Sequence, residues 1–280
     1  MTNYRPLKIA TRIVEPKDLV QREETVKAFY DAIGDDYHAL HEGRFCDEIL
    51  EYFIFYFLPK PSIKVLDLGG GVGRFAIPLA ASGYDVTIYD ISERMLAAAQ
   101  KIANEQKVRL EYQKGSVVNL DAIASDSFDS AICINSVLNY CEDHVRAIAE
   151  VNRILKPNGT FIGSVNNLFA YAASQEMKEG NLETFVESME TGNRHIQWGD
   201  IAHGHVTHDF TREELSSALY TAGFRNLSVL GIFNLLGKYF NSEDVLKKIN
   251  KERFFQLQLE FARKTQYINN SDDFFFVCNK

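Results

Sequence analysis

Apolar positions along this chain fall into two rhythms. Residues 65–68, 84–89, 109–112, 128–135, 160–165, 224–233 and 273–278 form short runs, several of them alternating, rich in β-branched and aromatic side chains, and they predict strands. Residues 75–80, the alanine-rich stretch after Asp90, residues 143–155 (DHVRAIAEVNRIL) and the stretch from Thr211 to Gly223 have helical spacing. Ser92 stands where an N-cap is needed, Thr211 and Glu214 form a capping box, and Lys156-Pro157-Asn158-Gly159 supplies a stop. Strands alternating with helices predict an α/β fold, a mostly parallel seven-stranded sheet with helices on both faces. The last strand, 273–278, would run antiparallel and form the sheet edge with 224–233.

The junction of the first strand and first helix carries the densest chemistry, reading VLDLGGGVGRFA over residues 65–76. Gly69, Gly71 and Gly73 permit backbone angles closed to side chains and let a ligand lie against the main chain. A glycine loop between a strand and a helix start offers backbone N–H donors to a nucleotide-like group. The frame Gly71 to Ala76 also fits a dinucleotide fingerprint with alanine last. Asp67 precedes the loop, where it could receive a positively charged amine. Asp90 ends the second strand about twenty residues past the glycines, where such sheets place the acid for ribose hydroxyls.

This arrangement resembles the class I, Rossmann-like S-adenosylmethionine (SAM)-dependent methyltransferases of small-molecule type. Their acid-x-Gly-x-Gly-x-Gly motif is matched by Asp67, Gly69, Gly71 and Gly73, and the string RILKPNGTF at 153–161 is similar to the family's turn into its fifth strand. The resemblance implies SAM as cofactor, with S-adenosylhomocysteine as product. It implies Asp90 on the ribose, Ile91 and Met95 beside the adenine, and Ser116 and Val117 where the family usually places an acid for the adenine amine. Asn135 and Ser136 would border the methyl-transfer position. Met95 as core packing and Ser116 as a turn residue are readings that stay open beside these.

The rest of the chain concerns the acceptor. One domain over 1–280 is expected, with a helical cap over 1–60, a SAM-binding half over 61–165 and a substrate-side half over 166–280 that carries insertions at 166–200 and 234–272. In the cap, Tyr30 and Tyr37 are candidates to lie near the sulfonium, because an aromatic face or phenolic oxygen favours a cation; packing on the sheet is the alternative. Residues 203–210 read HGHVTHDF. His205 or His208 could take a proton from the nucleophile, since histidine titrates near neutral pH. Metal binding by His203, His205, His208 and Asp209 and a purely structural role are the other readings; the cluster lacks the helical spacing of standard zinc motifs.

Composition narrows the partners. The chain of 280 residues carries a formal net charge of −8 with no basic run, which argues against nucleic acid. Its four cysteines, at 46, 133, 141 and 278, lack metal spacing and read as reduced thiols. With neither a leader segment nor a long apolar run, a cytoplasmic protein without membrane contact is expected, as monomer or homodimer. The reaction implied is direct displacement onto an oxygen, nitrogen or carbon of a small metabolite. The competing readings are a catalytically silent SAM-binding sensor or partner subunit, and a nicotinamide-dependent oxidoreductase using the same loop and Asp90.

Overall fold

The computed structural model describes residues 9–10, 22–33, 45–177, 180–198, 204–233 and 247–280. In chain order these form β1 (Ile9–Ala10), α1 (Arg22–Ile33), α2 (Phe45–Phe57), β2 (Lys64–Leu68), α3 (Ala76–Ala81), β3 (Asp85–Asp90), α4 (Glu93–Glu105), β4 (Glu111–Lys114), β5 (Phe128–Cys133), α5 (Val137–Tyr140), α6 (His144–Ile154) and β6 (Leu155–Asn166). Then follow α7 (Leu168–Tyr171) with a π-helical turn over Ala172–Glu176, α8 (Leu182–Thr191), β7 (Asn193–Trp198), β8 (His205–His208), α9 (Arg212–Thr221), β9 (Arg225–Ile232), α10 (Lys251–Ala262), α11 (Thr265–Asn269) and β10 (Asp273–Asn279).

Seven strands make one sheet in the order β4-β3-β2-β5-β6-β10-β9. Strands β4, β3, β2, β5 and β6 pair in parallel, whereas β10 is antiparallel to both β6 and β9. The reversed strand therefore lies inside the sheet, one place from the edge, and β9 forms the edge that had been expected of the final pair. Full-length pairing on both sides suits its sequence, since Phe274, Phe275 and Phe276 are all buried and alternate between the two faces. Strand order reverses between β2 and β5, and ligands bind such sheets at that point, beyond the carboxyl ends of the strands.

Alternation along each strand divides the core into two layers. Leu66, Leu68, Phe161 and Phe276 pack on the face covered by α6 and α9, and Val65, Ile88, Ile132, Ile162 and Phe275 on the face covered by α2, α3 and α10. Phe161, Phe275 and Phe276 are fully buried, and truncating any one to alanine should cost about 3–5 kcal/mol. Helix α4 starts where expected, with the Ser92 hydroxyl accepting from the Met95 N–H at 3.1 Å. The third strand is shifted from 109–112 to Glu111–Lys114, because as an edge strand it is defined only by its pairing with β3.

A second, three-stranded sheet, β1-β7-β8, lies outside the sequence-based expectation. Within the histidine segment, His205–His208 form strand β8, antiparallel to β7 with His205 opposite Ile196. Of the insertion at 234–272, residues 234–246 lie outside the described residues, and the remainder packs Phe254 and Leu259 into the core.

Candidate active site

An open cleft of about 800 Å³ lies at the carboxyl ends of β2, β3, β4 and β5. Its strand-side wall is main chain. After Leu68 the backbone takes left-handed angles at Gly69 (φ 65°), Gly71 (φ 52°) and Gly73 (φ 82°), and the Gly69 N–H donates to the Tyr89 carbonyl at 2.7 Å. A Cβ on Gly69 would come within 2.5 Å of Val137, whereas one on Gly71 would meet nothing within 4 Å. Gly69 is thus closed in by α5, and Gly71 faces open space.

Asp90 fixes this wall to the next strand. Its Oδ2 accepts from the Gly71 N–H at 2.9 Å and its Oδ1 from the Ser92 N–H at 2.8 Å. Burial raises its pKa, and those two backbone donors oppose the rise. Each oxygen keeps a lone pair for a ligand hydroxyl. Beyond β5, Asn135 and Ser136 are both left-handed, with φ 61° and 67°, and the Asn135 N–H donates to the Ser164 hydroxyl at 2.8 Å. Two consecutive strained residues at a strand end mark a turn held by its surroundings.

Helix α1 forms the opposite wall. Glu23, Val26 and Tyr30 stand at i, i+3 and i+7, on one helical face, and all three line the cleft. The helix is docked by side chains: Arg94 Nη1 donates to the Asp31 carbonyl at 2.6 Å, the Ser92 hydroxyl to the Asp31 carboxylate, and Arg22 Nη1 to the Cys141 carbonyl at 3.3 Å. Arg74 reaches the cleft from the glycine loop while pairing with both oxygens of Asp47 at 3.0 Å. The Cys141 thiol, on the same wall, is pushed up to about 12 by burial and is no nucleophile at neutral pH.

Of the residues singled out from sequence, Tyr30, Gly69, Gly71, Asp90, Ile91, Met95, Ser116, Val117 and Asn135 line this one cleft. Asp67 and Gly73 do not. Asp67 is buried beneath the loop, against Gly70, where the Ala76 N–H donates to its carboxyl and Oδ2 has no partner among the described residues. Burial, with Asp90 nearby, pushes its pKa up to about 8. It faces the underside of the loop rather than an amine in the cleft, because the left-handed turn at Gly69 carries the chain over it. Gly73 packs against Ile77, and Tyr37 and His203 lie outside the described residues. Glu23, Val26, Arg74 and Tyr140 also line the cleft without having been singled out; the 23, 26, 30 spacing was the available signal for the first two.

The histidines separate. His205 is buried between the rings of Phe29 and Tyr140, each with its centroid 5.2 Å from the imidazole, and neither ring nitrogen has a partner among the described residues. Burial, aided by His195 and Arg194, lowers its pKa to about 4, so the ring is neutral at pH 7. It stands one side chain behind the cleft, since Tyr140 lines that wall. His208 is engaged at both nitrogens, by Asn193 Oδ1 at 3.2 Å and Glu214 Oε1 at 2.8 Å. His144, His208 and Glu214 bring ligand-type atoms within 4.8 Å of one another. The two imidazoles stack with planes 19° apart, so their lone pairs run side by side instead of converging as tetrahedral coordination needs.

Residues 66–163 match the family model described as "Methyltransferase domain". The matched segment runs from β2 into β6. Over 123 residues the chain is 36% identical to a ubiquinone/menaquinone biosynthesis C-methyltransferase of Acidiphilium cryptum, covering 43% of this chain and 49% of that protein. The chain spans about half the length of the curated relatives it matches first, 48% and 49%. In fold it is similar to the 1,6-didemethyltoxoflavin-N1-methyltransferase of Burkholderia thailandensis, solved with its substrate and S-adenosylhomocysteine (TM-score 0.60, 16% identity, 97% of this chain and 94% of that one). It is also similar to a possible histamine N-methyltransferase of Thermotoga maritima (TM-score 0.57, 19% identity, 92% and 99%). The matched segment supplies the strand-side wall of the cleft, while α1 lies outside it. Among the described residues no helix is long and apolar enough to cross a membrane.

Proposed function

We propose that this protein is a SAM-dependent methyltransferase (EC 2.1.1 class) that transfers a methyl group by direct displacement to an oxygen, nitrogen or carbon atom of a small metabolite. The observation that carries the proposal is the pairing of an open, left-handed Gly71 with Asp90, whose carboxylate accepts the Gly71 N–H while facing the same cleft. That pair fits a ribose lying against backbone. Ile91 and Met95 offer apolar walls for the adenine, Ser116 and Val117 close that end, and Tyr30 and Asn135 lie where the methionine part and its sulfonium would sit.

SAM, when bound, supplies a methyl group already activated by its positive sulfur. What the chain contributes is alignment and exclusion of water, the main source of rate for such a transfer. Asn135, rigid in its turn, and Tyr30, on the docked helix, hold the two sides of that position. Where the acceptor carries a proton, we assign its removal to His205, neutral at pH 7 and with no ring-nitrogen partner among the described residues, once the Tyr140 ring that separates it from the cleft turns aside. His208, tied to Asn193 and Glu214, acts as a positioning residue that holds β8 against α9. We assign α7 and α8 to the substrate side.

Calorimetric titration with SAM, S-adenosylhomocysteine and NAD(H) tests the proposal. Micromolar binding of the first two with no heat from the third is the expected result; binding of NAD(H) alone would replace the reading with that of an oxidoreductase.

A further inference from the structure

The turn after β4, where the resemblance implies an acid, holds Ser116, and a carboxylate reaches it from another element. Glu23, in the first turn of α1, accepts the Ser116 hydroxyl proton at 2.7 Å and also receives the Glu142 backbone N–H. Both Glu23 and Ser116 line the cleft, at the end walled by Ile91 and Met95. We propose that Glu23 is the residue that recognises the exocyclic amine of the cofactor's adenine, so that the cap helix, rather than the sheet, supplies specificity for a 6-aminopurine. This rests on the SAM reading given above.

The hydrogen-bond inventory supports the assignment. A serine hydroxyl has one proton and two lone pairs. The Ser116 proton goes to Glu23, and one lone pair accepts the Val118 N–H at 3.2 Å. Serine alone is left with a single weak acceptor. A carboxylate has about four acceptor positions, of which Ser116 and Glu142 fill two, so Glu23 keeps an acceptor for an N–H of the amine. A 6-oxopurine would present a carbonyl to the same carboxylate, and two acceptors face to face repel. Sites built to hydrogen-bond a polar group discriminate strongly against the analogue that lacks it. Because Glu23 is carried on a helix docked by side chains, filling the adenine end also pins α1 over the cleft.

The test titrates the full chain with S-adenosylhomocysteine and with S-inosylhomocysteine, its 6-oxo analogue, by calorimetry. The unmodified protein should prefer the adenosyl compound by at least about tenfold. Glu23→Gln, nearly the same in shape, should lose about tenfold in affinity for the adenosyl compound and little for the inosyl one, reducing the preference to about twofold. Restoring an acid on the strand side, in Glu23→Gln with Ser116→Asp, should bring the preference back to within about threefold of the original. If Glu23→Gln keeps both the affinity and the preference of the unmodified protein, Glu23 only docks the helix and the inference fails by itself. If the unmodified protein binds neither compound, the SAM reading fails and takes this inference with it.

Discussion

The strand-side wall of the cleft and the helix-side wall hold their shapes by different means. On the strand side, Gly69, Gly71, Asp90 and Asn135 are placed by parallel register and by hydrogen bonds from backbone N–H groups, the Gly69 N–H to the Tyr89 carbonyl and the Gly71 N–H to the Asp90 carboxylate among them. On the helix side, Glu23, Val26 and Tyr30 ride on α1, which is docked through side chains such as Arg22, Asp31 and Arg94. A backbone wall cannot shift without breaking the sheet. A helix tied by a few polar contacts can be released locally at far lower cost than global unfolding. Binding strength should therefore be set by the first wall, and selectivity and access by the second.

The largest expected effect comes from Gly69→Ala. It combines left-handed strain of about 1–2 kcal/mol with a clash against Val137 at 2.5 Å, and overpacking of that kind costs about 1–3 kcal/mol. Together these predict about a hundredfold loss of SAM affinity by calorimetry. Asp90→Ala comes next, at about tenfold, since it frees the Gly71 and Ser92 N–H groups as well as removing a ribose acceptor. Gly71→Ala meets open space and carries only the left-handed strain, about fivefold. A Gly71 variant weaker than the Gly69 variant would mean that ligand contact, not backbone placement, dominates this wall.

The other side of the comparison is read through turnover. His205→Phe fills the same slot between Phe29 and Tyr140 and should leave SAM affinity unchanged while lowering kcat by about tenfold. That is below the usual loss of about a hundredfold or more for a general base, because a group with pKa near 4 is a weak base at pH 7. An unchanged kcat with a protonated acceptor would leave His205 as packing.

What could be read from the chain follows the same division. Strands and helix starts of the sheet half announce themselves through apolar runs, caps and the glycine loop, and Gly69, Gly71, Asp90, Ile91 and Asn135 do meet in one cleft. These residues are fixed by local backbone geometry, which local sequence encodes. Glu23 and Tyr140 reach the cleft through tertiary docking, which no short pattern records. The exception on the strand side is Asp67: its motif position is plain in sequence, but the turn at Gly69 that buries it is a matter of three-dimensional path. Likewise β8 hides its strand character behind three histidines in six residues, because its pairing partner β7 lies across a loop.

Asp67 is read through stability instead of binding and gives a direct test of how rigid the backbone wall is. Its pKa stands at about 8 in the fold against 3.8 ordinarily. The native state thus holds a proton that the unfolded chain releases, and stability falls as pH rises through the window from 3.8 to about 8. His205 contributes with the opposite sign. Its pKa drops from 6.5 to about 4, so the unfolded chain binds the extra proton and stability rises with pH across that lower window. Above pH 6.5 the histidine contribution is complete and the Asp67 contribution is still being lost, which makes the comparison cleanest there. Asp67→Asn keeps the shape of the protonated acid and has no proton to lose. Its melting temperature should come closest to that of the unmodified protein near pH 3.8 and exceed it increasingly as the pH rises, by about 5 °C or more at pH 8.5. A lower melting temperature for the variant at pH 8.5 would mean that an ionised Asp67 braces the glycine loop from below, and that the wall depends on a charge as well as on its backbone.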